Sequence, residues 1–420
     1  MANMNLLESY KGRLADSESY YAKSHNGEKL SNTKKLVVAK LLENVNKYMN
    51  EAFENSVGTQ RSDMGLFRKF CLNLTTVSVP NLIAFDLVLV QPMSSMSGYI
   101  TYLKYTAGSN KGETKNGDVF NSPFGLGKVD ANYTSTKVVE TIAKDQTALA
   151  WGPVVEGSID KFEGGAWTKV EGAYEPKAGD KVRYEYDNVV IPQNDLPIVN
   201  AELANIPLVA KARRIAIYYS QMAAFQAKND YGFDLGDQLA EKAVGQLSYE
   251  IDTEVTQLLI DNAPNDNDLV WSKTLPIGVS KQEHYAGFVE VLEIARQKIY
   301  DRTKRFAPNY MLIASNILPI LAFVPGFEAA PAGSINGPYF AGTLNGLKVY
   351  VTPNITAGTF VIGVNGDDMM SSAAVYAPYM PIVPTQLLGF ADGAMSQGFS
   401  SLYDLKMLNS SLLVSGRVTA

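Results

Sequence analysis

"VPNLIAFDLVLVQPMSSMSGYITYLKY", residues Val79–Tyr105, begins like a helix and ends like a strand. Its first half is too densely apolar for an exposed helix, so we expect it to be mostly buried. Pro92 ends that half. In the second half one side of a predicted strand carries Tyr99, Thr101, Leu103 and Tyr105. The stretch holds no pair of side chains suited to catalysis, which favours a rigid joint over an active site.

The composition indicates a large core without a strong charge bias. The chain has 420 residues, of which 46% are apolar and 19% charged, and this length predicts two or three domains. A net charge of −6 lacks the basic excess of a dedicated nucleic-acid binder. The single cysteine, Cys71, has no internal partner and is expected to be buried. Neither a membrane span nor a signal peptide is evident, so we expect a soluble protein, intracellular where it is made.

The N-terminal region divides into an arm and a helix. Residues 1–33 are polar and turn-rich, which predicts an arm that is ordered only if something packs on it. A helix capped by Asn32 or Thr33 is predicted at 34–55. One face of this helix carries Leu41, Val45, Tyr48, Met49, Ala52 and Phe53. With its other face polar, the helix is expected to dock on one side only.

The middle of the chain predicts a loop with a small β module. Residues 107–128 are rich in Gly, Asn, Lys and Ser and predict a projecting loop. Residues 129–195 alternate like strands with turns and predict a β module inserted into that loop. Within 182–187, the side chains expected on one face are Val182, Tyr184 and Tyr186, and those on the other are Arg183, Glu185 and Asp187.

The remaining residues indicate a mixed α+β fold. A strand predicted at 212–225 could pair with 97–105. A long helix capped by Asp234 or Asp237 follows, with a length of about 40 Å. The last third contains several short buried strands and ends on a closing strand. The absence of a strict β–α–β alternation argues against a doubly wound fold.

The residues suited to catalysis are few. His25 lies in the polar arm and His284 at the start of a helix, and both are expected to be solvated. No metal-ligand spacing, phosphate-binding loop or nucleophile motif is present, so we predict no enzyme, metal or cofactor. The basic cluster at 211–214 is expected to pair with acidic side chains, and loose contact with nucleic acid is its alternative.

Residues Val79–Tyr105 resemble the signature of the T-even-type major capsid proteins of tailed bacteriophages, in which a LIA-DLV-VQPM core precedes the long hairpin called the E-loop. Four further stretches are similar to landmarks of that family in the same order: 212–259 (strand and spine helix), 299–317 (start of the A-domain), 340–366 (A-domain hairpin) and 373–384 (before the C-terminal return strand). The resemblance covers roughly residues 66–420. It implies the shell fold that tailed-phage capsids share with encapsulins and the herpesvirus capsid floor.

The resemblance also implies a division into domains. The expected parts are an N-terminal arm (1–65) with its helix at 34–55, a segment leading into the P-domain (66–96), the E-loop with an inserted β module (97–195), the P-domain with its spine helix (196–305), the A-domain (306–385) and the return strand of the P-domain (386–420). Family precursors are cut after Leu-x-Glu or Ile-x-Glu, and such triplets occur at 6–8 and 41–43.

The function implied is that of a structural subunit of the virion, assembled in the host cytoplasm. Copies are expected to form hexameric capsomers, and pentamers as well, of an icosahedral head that encloses double-stranded DNA. Separate vertex, decoration and portal proteins are the expected partners. The candidate assembly-interface residues are Leu41, Val45, Tyr48, Asn110, Lys111, Lys115, Phe120, Phe124, Arg213 and Arg214. Two alternatives stay open: an encapsulin-type shell, and a carbohydrate-binding module suggested by Trp151 and Trp167.

Overall fold

A computed structural model shows helices and strands interspersed along the residues that it describes. It describes residues 2–24, 27–54, 61–122, 125–126, 132–187, 197–330 and 337–419. The helices are α1 (Ala2–Ser9), α2 (Lys11–Ser24), α3 (Asn32–Glu54), α4 (Arg61–Ser78), α5 (Ala84–Leu87), α6 (Gln221–Gln226), α7 (Leu235–Asn262), α8 (Lys281–Ala286), α9 (Phe288–Thr303) and α10 (Leu318–Leu321). Short 3₁₀ or π turns cover Val79–Asn81, Ala227–Tyr231 and Ser410–Leu412.

The strands form four sheets within the described residues. They are β1 (Leu89–Val90), β2 (Ser97–Ala107), β3 (Val119–Ser122), β4 (Gly125–Leu126), β5 (Lys137–Thr141), β6 (Asp160–Glu163), β7 (Ala166–Lys169), β8 (Lys181–Glu185), β9 (Val199–Val209), β10 (Lys211–Ser220), β11 (Asn265–Ser272), β12 (Tyr310–Ile313), β13 (Phe327–Ala329), β14 (Tyr339–Leu344), β15 (Leu347–Val351), β16 (Thr359–Gly363), β17 (Ala374–Pro384), β18 (Leu388–Gly389), β19 (Ala394–Met407) and β20 (Leu413–Thr419). The chain divides into two units. The body comprises Met1–Tyr99 and Pro207–Ala420, and the insert comprises Ile100–Ile206.

The spine helix α7 packs on a five-stranded sheet in the body. The sheet order is β1-β17-β19-β10, and β18 pairs with β19 as well. The predicted long helix is confirmed: α7 contacts β10, β17 and β19 through a buried stripe that includes Leu247, Ile251 and Val255. Asp234 is its cap, since its Oδ1 accepts the N–H of Gly236 at 2.9 Å.

The seven-stranded sheet of the body has the order β11-β20-β16-β12-β15-β14-β13. Strand β12 lies at its centre, parallel to β15 and antiparallel to β16. The hairpin expected within 340–366 is formed by β14 and β15, which pair antiparallel. Strands β15 and β16 flank β12 and do not pair with each other. All four residues of β12 are buried, where an unpaired backbone group would be costly. A strand on each edge completes the backbone hydrogen bonds of β12.

The last two long strands of the chain belong to different sheets of the body. We expected one closing strand, but β19 belongs to the five-stranded sheet and β20 to the seven-stranded sheet. The break is the turn at Ser410–Leu412, where Asn409 Oδ1 accepts the N–H of Ser411 at 2.9 Å. The alternating pattern continues on both sides of this turn, so periodicity alone could not reveal the change of sheet.

The insert contains two further sheets, β4-β3-β2-β9 and β5-β8-β6-β7. The expected pairing of 212–225 with 97–105 is wrong, because β2 lies between β3 and β9. Strand β10 instead pairs with β19 along all ten of its residues. The second sheet encloses its own core, and the predicted face of β8 is buried there. That core consists of Val138, Ile142, Trp151, Val182, Tyr184 and Tyr186.

The N-terminal segment is helical and packed on the body. Ser17 Oγ donates to Thr76 O at 3.0 Å, and Tyr21 is 1% exposed, so α2 is held within its own chain. Helix α3 begins close to the predicted start. Its cap is Ser31 rather than Asn32 or Thr33, since Ser31 Oγ accepts the N–H of Lys34 at 3.2 Å.

Candidate assembly surfaces

A buried polar junction anchors the signature stretch from two sides. Asp86 accepts hydrogen bonds from the Tyr21 hydroxyl and the Lys34 ammonium, each at 2.7 Å, and its side chain is 2% exposed. Asp252 of α7 accepts the backbone N–H of Ile83 at 3.0 Å. The joint is therefore fastened to the N-terminal helices and to the spine helix. Sequence reasoning missed this junction, although a lone aspartate inside the apolar run IAFDLVLV is a signal of it.

Both carboxyl groups of the junction are committed to structure. Burial, opposed by two backbone N–H bonds, raises the pKa of Asp252 to about 8. Burial also raises the pKa of the Tyr21 hydroxyl, with the neighbouring Asp86 carboxylate adding to the effect. Perturbed pKa values can mark catalytic groups, but here each polar atom holds one element against another. This arrangement positions the fold.

The predicted docking face of α3 is largely used within the chain. Leu41 is 1% exposed and Val45 fully buried, because α3 packs on α4 and β17. Asn44 Nδ2 adds bonds to the carbonyls of Met93 and Tyr379, each at 2.8 Å. The expectation that Leu41 and Val45 lie on a neighbouring copy is corrected accordingly. Tyr48, which is 40% exposed, is the accessible member of that predicted face.

Lys111 is buried inside the insert. Its Nζ donates to the carbonyl of Tyr133 at 2.9 Å and to that of Ser135, and it lies within 5.5 Å of the ring centroids of Trp151 and Tyr186. Only 2% of the residue is exposed. The expectation of an interface role is corrected, since carbonyls and aromatic faces enclose the ammonium. The loop around it packs on the β module and does not project freely.

The other predicted loop residues have mixed environments. Asn110 and Lys115 are exposed. Phe120 is half-buried, with its ring edge-on to Tyr133 at 5.2 Å between centroids. Phe124 lies outside the described residues. Asn110 and Lys115 are therefore the accessible candidates of this region.

The two arginines of the basic cluster differ. Arg213 Nε donates to Glu254 Oε2 at 3.1 Å, and a second carboxylate, Glu250, lies 3.5 Å from its guanidinium. The predicted pairing with acidic side chains is confirmed for this residue. Arg214 lies on the other face of β10 and is exposed. Arg214 is thus the arginine that could meet another molecule.

The strands β2 and β9 present an exposed apolar face, which we call the ribbon face. The Lys104 ammonium lies 3.6 Å from the Glu202 carboxylate, so these two side chains share one side of the paired strands. By alternation the odd-numbered residues share the other side. There the exposed fractions are 47% for Leu103 and 72% for Leu203. Tyr105 and Val199 extend this face and are also exposed.

Comparison with known proteins gives this surface its context. The family model of the major capsid protein Gp23 matches residues 64–416. The chain belongs to the Gp23 major capsid protein family. A Serratia phage KSP90 major capsid protein is 22% identical over 88% of this chain and 84% of its own length. The major capsid protein of enterobacteria phage T4 is 21% identical, with 84% of this chain and 83% of the relative covered.

One solved capsid structure matches this chain at a lower sequence identity than these relatives do. The capsid of Myoviridae phage XM1 aligns with a TM-score of 0.43 at 6% identity, covering 80% of this chain and 92% of that one. Family membership rests on the sequence match.

As a Gp23-family member, the chain is a structural subunit of a tailed-phage capsid and is part of the virion. It assembles into a capsid lattice. The family consists of phage capsid proteins, so the encapsulin-type alternative is not favoured. Among the described residues, no helix combines the length and apolarity needed to cross a bilayer.

Histidine and tryptophan side chains of this Gp23-family protein are in packed environments. The His284 ring stacks on Trp271 at 4.8 Å, and its Nε2 lies 2.8 Å from Ser272 O, so the expectation of a solvated side chain is corrected. His25 lies outside the described residues. Trp151 is buried, and the Arg183 guanidinium lies 4.8 Å from the Trp167 ring centroid. A sugar-stacking platform needs an open aromatic face, so the carbohydrate-binding alternative is not favoured.

Proposed function

We propose that copies of this chain form hexameric capsomers, and pentamers, of an icosahedral head that encloses double-stranded DNA. The ribbon face is the observation that carries this proposal. Four apolar side chains, including Leu103 and Leu203, are exposed along one side of two paired strands. Apolar surface of this kind is characteristic of protein–protein contacts. A second copy that covers the ribbon face would remove these apolar side chains from water.

The proposed domains divide the work of assembly. Residues 97–195 serve as the E-loop with its inserted module, 196–305 and 386–420 form the P-domain, and 306–385 form the A-domain. A lattice of many copies can tolerate weak individual contacts, because each subunit makes several at once. Tyr48, Asn110, Lys115 and Arg214 are further contact candidates, since their side chains are exposed.

Other molecules of the virion are proposed as separate partners. Vertex, decoration and portal proteins would complete the shell. Contact with packaged DNA would be non-specific. The net charge of −6 provides little attraction for phosphate. Exposed Arg214 is a local exception to the negative charge.

The test is assembly of a variant that changes only the ribbon face. Leu203→Asp places a charge on a side chain that is 72% exposed, so the chain should fold while the contact is lost. Val155→Asp is the matched control, since Val155 is a 43% exposed apolar residue elsewhere in the insert. We expect particles with hexameric capsomers by electron microscopy for the wild type and the control, and unassembled folded protein for Leu203→Asp.

Two outcomes would contradict this proposal in different ways. Wild-type protein that stays monodisperse and monomeric under all assembly conditions would contradict the capsomer function. Wild-type particles matched by equally abundant Leu203→Asp particles would contradict the role of the ribbon face alone.

A further inference from the structure

Helix α6 of the body is unusually exposed. None of its six residues is buried, and the exposed fractions are 69% for Met222 and 63% for Phe225. Ser220 caps the helix, since its Oγ accepts the N–H of Ala223 at 3.1 Å. A helix of this length is marginal in water without packing. Its large apolar side chains therefore indicate a contact outside the single chain.

Neighbouring strands enlarge this exposed area. Ser396 of β19 is opposite Tyr218 of β10 and Leu388 of β18, so both large side chains share one face of the sheet. Their exposed fractions are 68% and 59%. Phe390 is also exposed. Its carbonyl accepts the N–H of Gly393, and the Gly393 carbonyl accepts the N–H of Gln221, the first residue of α6. Phe390 therefore lies beside the start of that helix. We call Tyr218, Met222, Phe225, Leu388 and Phe390 the end patch.

The end patch has a mainly acidic rim. Residues 227–237 contain three aspartates and one lysine, Lys228. Asp230 and Asp237 are exposed, and so is Asp392 in the loop that holds Phe390. A partner with an apolar centre and positive flanks would match the end patch in apolarity and its rim in charge.

A loop elsewhere in the body has this complementary character. The segment KTLPIGVSK, residues 273–281, exposes Leu275, Ile277 and Val279, and Ile277 has a relative exposure of 105%. Lysines stand at both ends of the segment, and both are exposed. We call residues 273–281 the apolar finger.

The apolar finger has a well-ordered base. The Lys273 N–H donates to Thr419 O at 2.8 Å, which continues the pairing of β11 with β20. At the other end Ser280 and Glu283 form a reciprocal capping box on α8. At the tip, Gly278 has φ +89 and supplies the left-handed residue that the turn requires. A fixed base reduces the entropy lost when the tip is bound.

We propose that the apolar finger of one copy docks on the end patch of a neighbouring copy. The contact joins two different surfaces, so it is heterologous and can generate rings of copies. A second copy of this chain is the occupant favoured, because the family forms a capsid lattice and the two surfaces complement each other in charge and apolarity. The inference rests on the proposed capsomer function and specifies one of its contacts.

Cysteine cross-linking between differently substituted chains tests the pairing directly. Particles are assembled from a mixture of Ile277→Cys and Phe225→Cys chains and oxidised with copper phenanthroline. The native Cys71 is buried, so its background is low. We expect a mixed disulfide dimer on non-reducing gels. The matched control replaces Phe225→Cys with Tyr300→Cys, at an exposed position on α9, and should give no mixed dimer.

The readouts separate this inference from the proposed function. Wild-type chains that form no particles would count against the capsomer function. Wild-type particles in which the 277/225 mixture gives no more mixed dimer than the 277/300 control would overturn the finger–patch contact while leaving the capsomer function intact.

A second series measures the strength of the contact. Ile277→Ser removes the tip side chain, and we expect the protein concentration needed for assembly to rise at least about tenfold. Asp230→Lys and Lys273→Glu should each raise it about two- to fivefold, and the double variant should restore it, because the charges are exchanged. Unchanged assembly by Ile277→Ser, or a double variant worse than both single variants, would contradict the proposal.

Discussion

Asp86 is the residue at which three parts of the body meet. It belongs to the signature stretch, and it accepts hydrogen bonds from Tyr21 of α2 and Lys34 of α3. A buried carboxylate without such partners would be costly, whereas here the charge is compensated. This residue therefore couples the N-terminal helices to the capsid-family signature.

Two adjacent lysines on α3 offer a matched test of this junction. Lys34 pairs with the buried Asp86 at 2.7 Å, whereas Lys35 pairs with Glu18 at 3.1 Å near the surface. Lys34→Ala should lower the free energy of unfolding by about 2–3 kcal/mol, less than for a fully buried pair because the Lys34 side chain is 24% exposed. Lys35→Ala should cost less than about 1 kcal/mol. Urea unfolding measures both, and equal losses would refute the buried-junction account.

Asp252 predicts a dependence of stability on pH. Burial raises its pKa to about 8 in the folded chain, above the value of about 3.9 for an unfolded aspartate. The folded state holds this proton more tightly, so the contribution to stability is complete below the unfolded pKa and is lost as the pH rises towards 8. Asp252→Asn removes the titration while its amide oxygen can still accept the Ile83 N–H.

The measurement compares urea unfolding at pH 5 and pH 8. We expect the stability of Asp252→Asn relative to the wild type to be higher at pH 8 than at pH 5. Asp268→Asn, at a side chain that is 85% exposed, is the surface control and is measured in the same way. A pH-independent difference for Asp252→Asn would show that the group does not titrate in this range.

At the scale of elements, the loop between β2 and β3 shows how a polar segment becomes ordered. Gly112 has φ +59, and a Cβ there would lie 2.5 Å from Val139 O, so the loop backbone lies directly on β5. Thr114 is also buried. Composition predicted a free loop because these residues provide little apolar area. The module offers backbone carbonyls and aromatic rings instead, and Lys111 uses both.

Two lysines of this loop test its packing. Lys111→Met removes the ammonium from its carbonyl partners and should destabilise the insert by about 2 kcal/mol or more. Lys115→Met changes an exposed side chain and should stay within about 0.5 kcal/mol of the wild type. Hydrogen exchange of the amides in residues 132–187 reports the local stability. If both variants exchanged at the same rate, the buried clamp at Lys111 would not stabilise the insert.

At the scale of the whole molecule, the chain consists of two units with separate cores. The insert has a core around Val182 and Tyr184, whereas the body is built on two sheets and the spine helix. Units with their own cores can unfold in separate transitions. The chain's three tryptophans make this measurable, because Trp151 and Trp167 are in the insert and Trp271 is in the body.

We expect different unfolding midpoints from two tryptophan variants. Trp271→Phe leaves tryptophan fluorescence only from the insert, and the double variant Trp151→Phe/Trp167→Phe leaves it only from the body. The wild type followed by fluorescence should show both transitions. Coincident midpoints for all three proteins in a urea titration would mean that the two units unfold as one.

Prediction from sequence was most successful where local pattern and tertiary environment agree. The alternation predicted for β8 matched its buried face, because a periodic apolar pattern states which side leaves water. It was least successful for the candidate contacts. Leu41 and Val45 were correctly placed on an apolar face, but that face is covered by the chain itself. The ribbon face and the end patch also carry large apolar side chains, and these are exposed.

By itself, the sequence determined the family, the mixed α+β class, the spine helix and the periodic faces of its strands, since these depend on local pattern and on a specific signature. Only the tertiary structure decided which strands pair, which apolar faces are covered and where Asp86 and Lys111 find their partners. The physical reason is that periodicity specifies that a side chain is buried but not what buries it. Backbone hydrogen bonding is nearly identical for every candidate strand, so pairing is chosen by contacts between residues far apart in the chain.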